Sequence, residues 1–465
     1  MAQKDDSNPK YILGIVLLAS FIIPFMASSV NLAIPDIGSQ FDCSAFVLSW
    51  VMNSYLLSSA AFLLPMGRLA DLFGRREVYL FGLVVFFAAS LFCSFAWSIE
   101  SLILFRVIQG IGSSAMFGTG VAILTLAFPP ESRGRILGYN SAAVYVGLSS
   151  GPFIGGIMNH NLGWHSIFLS CALLGLPVIV LAFRRLYTES VDTGNARFDP
   201  VGALMYSAGL WLLLFGLSAI AMGILPRLGA GVGLLLLILF VRRQMVVPEP
   251  MFEVRLFLSN TVFTFSNMAA LINYSATFAV GYVLSIYLQV IRGYDSQNAG
   301  LIMIVYPILM ALLSPYAGAL SDRVAPGLVA AWGMGLTTVA LVMCVLLTGD
   351  SSLWYICGAL VILGIGFALF ATPNNNAVMG SVARRHYGIA GSTLGTMRLV
   401  GQAMSMVLAT LIIDFYVGDT QLLMAEHGQL LSSFHSIFCL MAVTCFCGIF
   451  ASLAGRKQFQ SRLEE

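Results

Sequence analysis

A chain of 465 residues that is 58% hydrophobic and only 9% charged is not an ordinary soluble domain, in which about a quarter of the residues are charged. A net charge of +2, with the basic residues dispersed rather than massed in one patch, excludes a nucleic-acid surface. The eight cysteines have neither paired nor metal-type spacing, and seven of them (Cys93, Cys171, Cys344, Cys357, Cys439, Cys445 and Cys447) fall inside apolar runs, where they read as packing residues.

Crossing a bilayer as a helix takes roughly 20 mostly apolar residues, because every backbone amide in hydrocarbon must be paired within its own segment. Taken in chain order, the apolar runs predict spans at 11–34, 44–66, 78–97, 101–127, 136–158, 164–183 and 200–222, then at 225–241, 260–290, 298–318, 328–348, 353–373, 389–414 and 433–455. The first follows a polar start and is longer than a signal-peptide core, so it reads as an uncleaved span. The eighth is interrupted by Gly229, Gly231 and Gly233. Fourteen spans make an all-α membrane protein.

Cytoplasmic loops carry the excess Lys and Arg. With the N-terminus inside, 19 of the 23 basic residues fall on that side, Arg227 and Arg292 fall on the other, and Arg106 and Arg398 lie within spans. The expectation is a multi-pass protein of the cytoplasmic (inner) membrane with both termini cytoplasmic. An internal repeat divides it further. Gly67, Leu69 and Asp71 recur 251 positions later as Gly318, Leu320 and Asp322, while Gly110-Ile111-Gly112 recurs as Gly364-Ile365-Gly366, Gly134 as Gly388, and Val146-Gly147 as Val400-Gly401, each 254 positions on. The expected domains are an N-terminal six-helix bundle (1–190), two inserted helices with a linker (191–258), and a C-terminal six-helix bundle (259–465).

Three motifs bear on function. The loop after the second span reads GRLADLFGRR, with Gly67, Arg68, Asp71, Gly74, Arg75 and Arg76. A short turn between membrane helices needs glycines where backbones crowd, and a carboxylate beside guanidiniums can latch to a helix N-terminus or an Arg; read plainly, it is a charged turn obeying the loop-charge rule. Its second copy includes Asp322 and Arg323. The fourth span contains LFRVIQGIG, Leu104 to Gly112, whose Arg106 costs roughly 2.5 kcal/mol or more in hydrocarbon and so is expected to face the bundle interior, with snorkelling toward the outer end as the alternative. In the fifth span, GLSSGPFIGG places Gly147, Gly151 and Gly155 on one helix face, followed by Gly156, with Pro152 removing a hydrogen bond; helix packing alone would explain these small residues.

Together the three motifs resemble the signatures of the major facilitator superfamily: its loop between the second and third helices, its Arg-bearing fourth helix, and its antiporter motif. VPEPMFEVRLF (Val247 to Phe257), YLQVIRGY (Tyr287 to Tyr294) and the region from Phe370 to Gly401 are similar in particular to the fourteen-spanner drug:proton antiporters. The resemblance covers the chain from the first helix to about residue 415. It implies two pseudo-symmetric six-helix bundles that rock about a central site, exporting a small amphiphilic molecule against inward-flowing protons. Such a protein is a transporter rather than an enzyme and needs no cofactor beyond an ion gradient, with the lipid bilayer, its substrate and protons as partners.

No GxxxxGK[ST] loop occurs, so ATP is not an expected partner. The five histidines lie in or beside loops without metal-type pairing. A sensor or scaffold, and a uniporter of the same fold, remain the alternatives. One departure matters: where the related exporters carry an acid nine positions before the proline of the first helix, this chain has Met26. All 21 Asp and Glu fall in loops or at span ends. With Arg106 and Arg398 as the charges within spans, neutral or anionic amphiphiles are expected over dications. Candidate polar groups of the cavity are Asn31, Asn53, Gln109, Tyr145, Asn273, Tyr274 and Gln289, with Asn374, Asn375 and Asn376 at one end of the twelfth span; each reads equally as interhelical glue.

Overall fold

Long apolar runs fold as helices that lie against one another, and thirteen helices among the described residues are long and apolar enough to cross a membrane. The structure, a computed structural model, describes residues 9–128, 130–186, 198–220, 223–248, 250–382, 387–418 and 426–454. Of the basic residues used for orientation, Lys4, Arg197, Arg384, Arg385, Arg456, Lys457 and Arg462 lie outside the described residues, as do the side chains of Arg133 and Arg135; so does the side chain of Asp322 in the second copy of the loop.

The first four spans are α1 (Pro9–Phe41), α2 (Ala45–Phe73), α3 (Arg75–Ser94) and α4 (Ile99–Ala127). The fifth expected span runs as α5 (Pro130–Ser150), a π-helical turn (Gly151–Gly155) and α6 (Gly156–Leu162), followed by α7 (His165–Arg185). Helix continues from α5 through the π-helical turn into α6, long enough together to make a fourteenth span, and α5 is less apolar than the other long helices. The two inserted helices are α8 (Pro200–Ser218) and α9 (Ile224–Gln244); the glycines of α9 do not interrupt it. After the short α10 (Val254–Ser259), one run consists of α11 (Thr261–Thr277), α12 (Ala279–Ile286) and a second π-helical turn (Tyr287–Ile291). There follow α13 (Ser296–Met303), α14 (Val305–Arg323), α15 (Pro326–Val345), α16 (Leu353–Gly380), α17 (Tyr387–Val417) and α18 (His427–Ala454).

The sequence repeat has a packing counterpart. Gly110 of α4 approaches the Tyr55 carbonyl of α2, and Gly364 of α16 approaches the Tyr306 carbonyl of α14. Gly112 lies against Gly82 and Phe86 of α3, and Gly366 lies against Gly333 and Thr337 of α15. These helix pairs come together at glycines because a Cβ at any of the four motif positions would fall inside van der Waals contact with the neighbouring helix. Each half thus repeats the same internal seams.

The α8–α9 hairpin touches both halves: α8 packs on α2 and on α17. Tyr206 donates to the Ala60 carbonyl at 3.0 Å, Ser207 donates to the Ala61 carbonyl at 2.7 Å, and Phe215 lies 5.2 Å from the Trp50 ring. Most of the α9 face points outward, as a lipid-facing helix requires.

Candidate functional site

The loop from α2 to α3 turns at Gly74, whose φ of 104° is open to glycine at little cost. Arg76 reaches across to α7, where its Nε donates to the Leu186 carbonyl at 2.9 Å and its Nη2 to the Phe183 carbonyl at 3.2 Å. A guanidinium capping the last carbonyls of a helix satisfies unpaired acceptors and complements the negative end of the dipole. Asp71, near the end of α2, pairs with Arg75 at the start of α3 at 3.7 Å, with Arg68 also nearby. Gly67 has open space where a Cβ would stand, so crowding does not explain it in this state. In the second copy of the loop, Arg323 ends α14 and Asn376 donates to Ser321 at 2.7 Å, while Asn374 is buried in α16.

Arg106 does not snorkel: it is 0% exposed. It lies in the interior of the N-terminal bundle rather than in the cleft between the halves. Its guanidinium sits among α2, α3 and α7, over the rings of Tyr55 of α2 (4.3 Å to the ring centre) and Phe168 of α7 (5.9 Å). Its Nε donates to the Val51 carbonyl at 2.9 Å and its Nη1 to Gln109 Oε1 at 2.6 Å; Nη2 has no partner among the described residues. Gln109 in turn donates to Ser90 Oγ at 2.6 Å and to the Met26 sulfur at 3.0 Å. The departure at Met26 and the arginine at 106 are therefore joined through one amide, and no described carboxylate pairs with the guanidinium.

The glycine motif divides its work. Gly147 faces the Phe21 carbonyl, Gly151 faces Ser28, and Gly155 faces Ser29, all on α1 within one bundle. Ser29 donates to the Gly151 carbonyl at 3.1 Å, and the π-helical turn begins there, next to Pro152, whose missing N–H frees the ladder to widen. Gly156 instead faces the Ser296 carbonyl, and Gly300 faces the Pro152 carbonyl, so α6 and α13 form a seam between the bundles.

Hydrogen bonds that join the bundles directly gather at the same end, opposite the start of α1. Asn53 donates to Thr410 at 3.0 Å, Ser285 donates to the Asn31 carbonyl at 2.7 Å, Gln289 supports Ser285 at 2.9 Å, and Ser296 donates to the Gly156 carbonyl at 3.4 Å. Asp36, on the outermost turn of α1, accepts from Asn159 of α6. Asn273 is fully buried with both side-chain polar atoms unpartnered among the described residues. Tyr274 lies under the Arg398 guanidinium at 5.2 Å and within electrostatic reach of Tyr145 from the other bundle. Of the expected cavity residues, Met26 thus gathers around Gln109, Asn31 around Gln289, and Tyr145 and Arg398 around Tyr274, whereas Asn53 binds Thr410 and Asn273 joins none of these groups.

Sequence reasoning missed the clasp on the inserted hairpin. Asp199 accepts from Arg243 Nε at 2.9 Å and Nη2 at 2.8 Å, and caps α8 through Gly202 N at 2.9 Å. Gln244 links the same carboxylate to the Met251 amide at 2.7 Å. The Arg243 guanidinium beside Asp199 holds its carboxyl below the usual carboxylate range. Asp199 followed by Pro200 is an N-cap signal that the sequence offers.

Comparison with known proteins agrees with this architecture. The sequence profile of the Major Facilitator Superfamily matches residues 16–245 and 266–464. The riboflavin transporter RibZ of Clostridioides difficile is 29% identical over 439 residues, covering 94% of this chain and 95% of RibZ. The cephamycin export protein CmcT of Amycolatopsis lactamdurans is 32% identical over 433 residues, covering 90% and 88%. A bacterial homologue of the human lysosomal transporter Spinster, in an inward-facing occupied conformation, superposes with a TM-score of 0.66 at 16% identity, covering 97% of each chain, a likeness of fold. The chain belongs to the Major Facilitator Superfamily, as a multi-pass membrane transporter similar to the drug exporters of that superfamily.

Proposed function

We propose that this transporter exports small amphiphilic molecules across the cytoplasmic membrane in exchange for protons, by alternating access, with both termini cytoplasmic. The observation that carries the reading is the seam at α6 and α13. Backbone meets backbone there between the bundles, through Gly156 and Gly300, and the direct inter-bundle hydrogen bonds lie at the same end. A joint made of small residues and a few hydrogen bonds can part and re-form at modest cost, whereas the glycine contacts of α5 with α1 stay within one rigid body. By the loop-charge rule the seam is on the outer side. Export is supported by relatives named for it, such as CmcT.

The second reading is a carrier without proton coupling. It is favoured by one fact: among the described residues the buried charges are Arg106 and Asp199, and Asp199 sits at the end of α8, so no buried mid-span carboxylate offers a proton site. Purified protein in vesicles, loaded with a neutral fluorescent amphiphile under an imposed pH gradient, separates the two. Export requires flux that rises with the gradient and collapses when an ionophore dissipates it. Flux indifferent to the gradient identifies a uniporter, and saturable binding without flux identifies a sensor.

A further inference from the structure

The two arginines within spans have different surroundings, and only one is placed to meet a ligand. Arg106 is sealed inside the N-terminal bundle, with its guanidinium held by Val51, Gln109 and two rings. Arg398 lies on α17, is partly exposed, and stacks 5.2 Å over Tyr274 of α11. Its Nε is buried without a partner, and no carboxylate among the described residues pairs with it. Tyr274 extends the same surface into aromatic neighbours, with the Phe367 ring 5.6 Å away and edge-on. Tyr145, from α5 of the other bundle, lies within electrostatic reach of Tyr274.

A guanidinium partly withdrawn from water without a counter-charge carries a cost, which falls when an anion accepts its fork of hydrogen bonds. The adjoining rings offer an apolar surface on which a flat hydrophobic body can lie, so charge and aromatic wall together match a molecule with one of each. We propose that Arg398 anchors the monoanionic headgroup of an aromatic amphiphile, whose body rests on Tyr274 and Phe367 and whose far edge reaches Tyr145. A ligand held this way touches both bundles. The inference deepens the reading of the chain as an amphiphile transporter and rests on it for the site being a transport site.

The test uses two probes that differ by one charged group: 1-anilinonaphthalene-8-sulfonate and neutral N-phenyl-1-naphthylamine. Binding is measured by fluorescence on the full-length protein in lipid nanodiscs, with empty nanodiscs subtracted. Arg398→Gln should weaken the sulfonate by about tenfold or more while the neutral probe changes by less than about twofold. Arg398→Lys, which keeps the charge and loses the fork, should fall between the unaltered protein and the glutamine variant, and guards against a folding artefact. Equal losses for both probes, an unchanged sulfonate affinity in Arg398→Gln, or no saturable sulfonate binding by the unaltered protein overturns the anchor. Failure of the exporter reading is seen separately, as absence of neutral-probe flux under a pH gradient, because equilibrium binding does not depend on coupling.

Discussion

Replacing Gly300 by alanine should shift the balance between the two access states without damaging either bundle. The new Cβ would stand inside van der Waals distance of the Pro152 carbonyl, and its closest other neighbour is Leu32 of α1 at 3.1 Å. Because the obstacle is backbone, α6 and α13 must separate for the methyl to fit. Overpacking of this kind costs about 1–3 kcal/mol. It burdens only the state in which the seam is closed, so the closed-to-parted ratio should fall by roughly 5- to 150-fold. Gly155→Ala is the control, since its Cβ meets Ser29 within the N-terminal bundle; it should lower thermal stability by a similar energy in both states and leave their ratio alone. The assay is pulsed electron spin resonance between labels at Leu162→Cys and Asn298→Cys, which flank the seam, with Cys43, Cys357, Cys439 and Cys447 replaced by serine so that the buried thiols alone remain. A distance distribution unmoved by Gly300→Ala, or moved equally by Gly155→Ala, refutes the division of the glycine motif into static and mobile contacts.

Arg106→Met should keep or raise thermal stability, since a buried charge with no described counter-ion is replaced by an apolar side chain of similar length; a loss of about 3 kcal/mol or more in detergent unfolding contradicts an uncompensated charge. Asp199→Asn should cost about 1 kcal/mol through the lost ion pair with Arg243, since the asparagine carbonyl can still cap α8. Its folded carboxyl lies below the usual range, so the stabilisation is present above the ordinary carboxylate value and lost only as pH falls through the lowered one. The gap between variant and parent should therefore stay constant from roughly pH 8 to pH 5 and close at lower pH, and a gap that widens on acidification has the wrong sign. A cysteine introduced at Leu225, exposed in the first turn of α9 beside Arg227, should react with an impermeant reagent from outside, whereas one beside Arg185 should not; the opposite pattern inverts the topology.

Much of the fold was legible because a bilayer imposes a length on every element and a charge bias on every loop, both of which survive in a single sequence. The seams were legible in part: spacing put Gly147, Gly151 and Gly155 on one face, and the repeat tied Gly110 and Gly112 to Gly364 and Gly366. What spacing omits is the partner. That Arg76 caps α7, or that Gln109 bridges Met26 and Arg106, depends on contacts between residues far apart in the chain. Arg106 and Arg398 looked alike as cations in apolar runs, and rotation of each helix about its own axis separated them.

That separation changes what the missing acid at Met26 means. Were Arg106 in the cleft, its charge would act on the substrate directly. Packed as it is, it acts on α1, because Gln109 passes its hydrogen bonding to the Met26 thioether and Ser90. A carboxylate at position 26 would sit one amide away from a fixed cation inside a single bundle, where gaining or losing its proton would change the packing of α1 against α4 rather than the charge of the cleft. The same α1 carries Ser28 and Ser29 against the glycine motif and Leu32 against the seam. With a thioether at that position, α1 has no titrating group at this level, and the charge offered to a ligand between the bundles falls to Arg398.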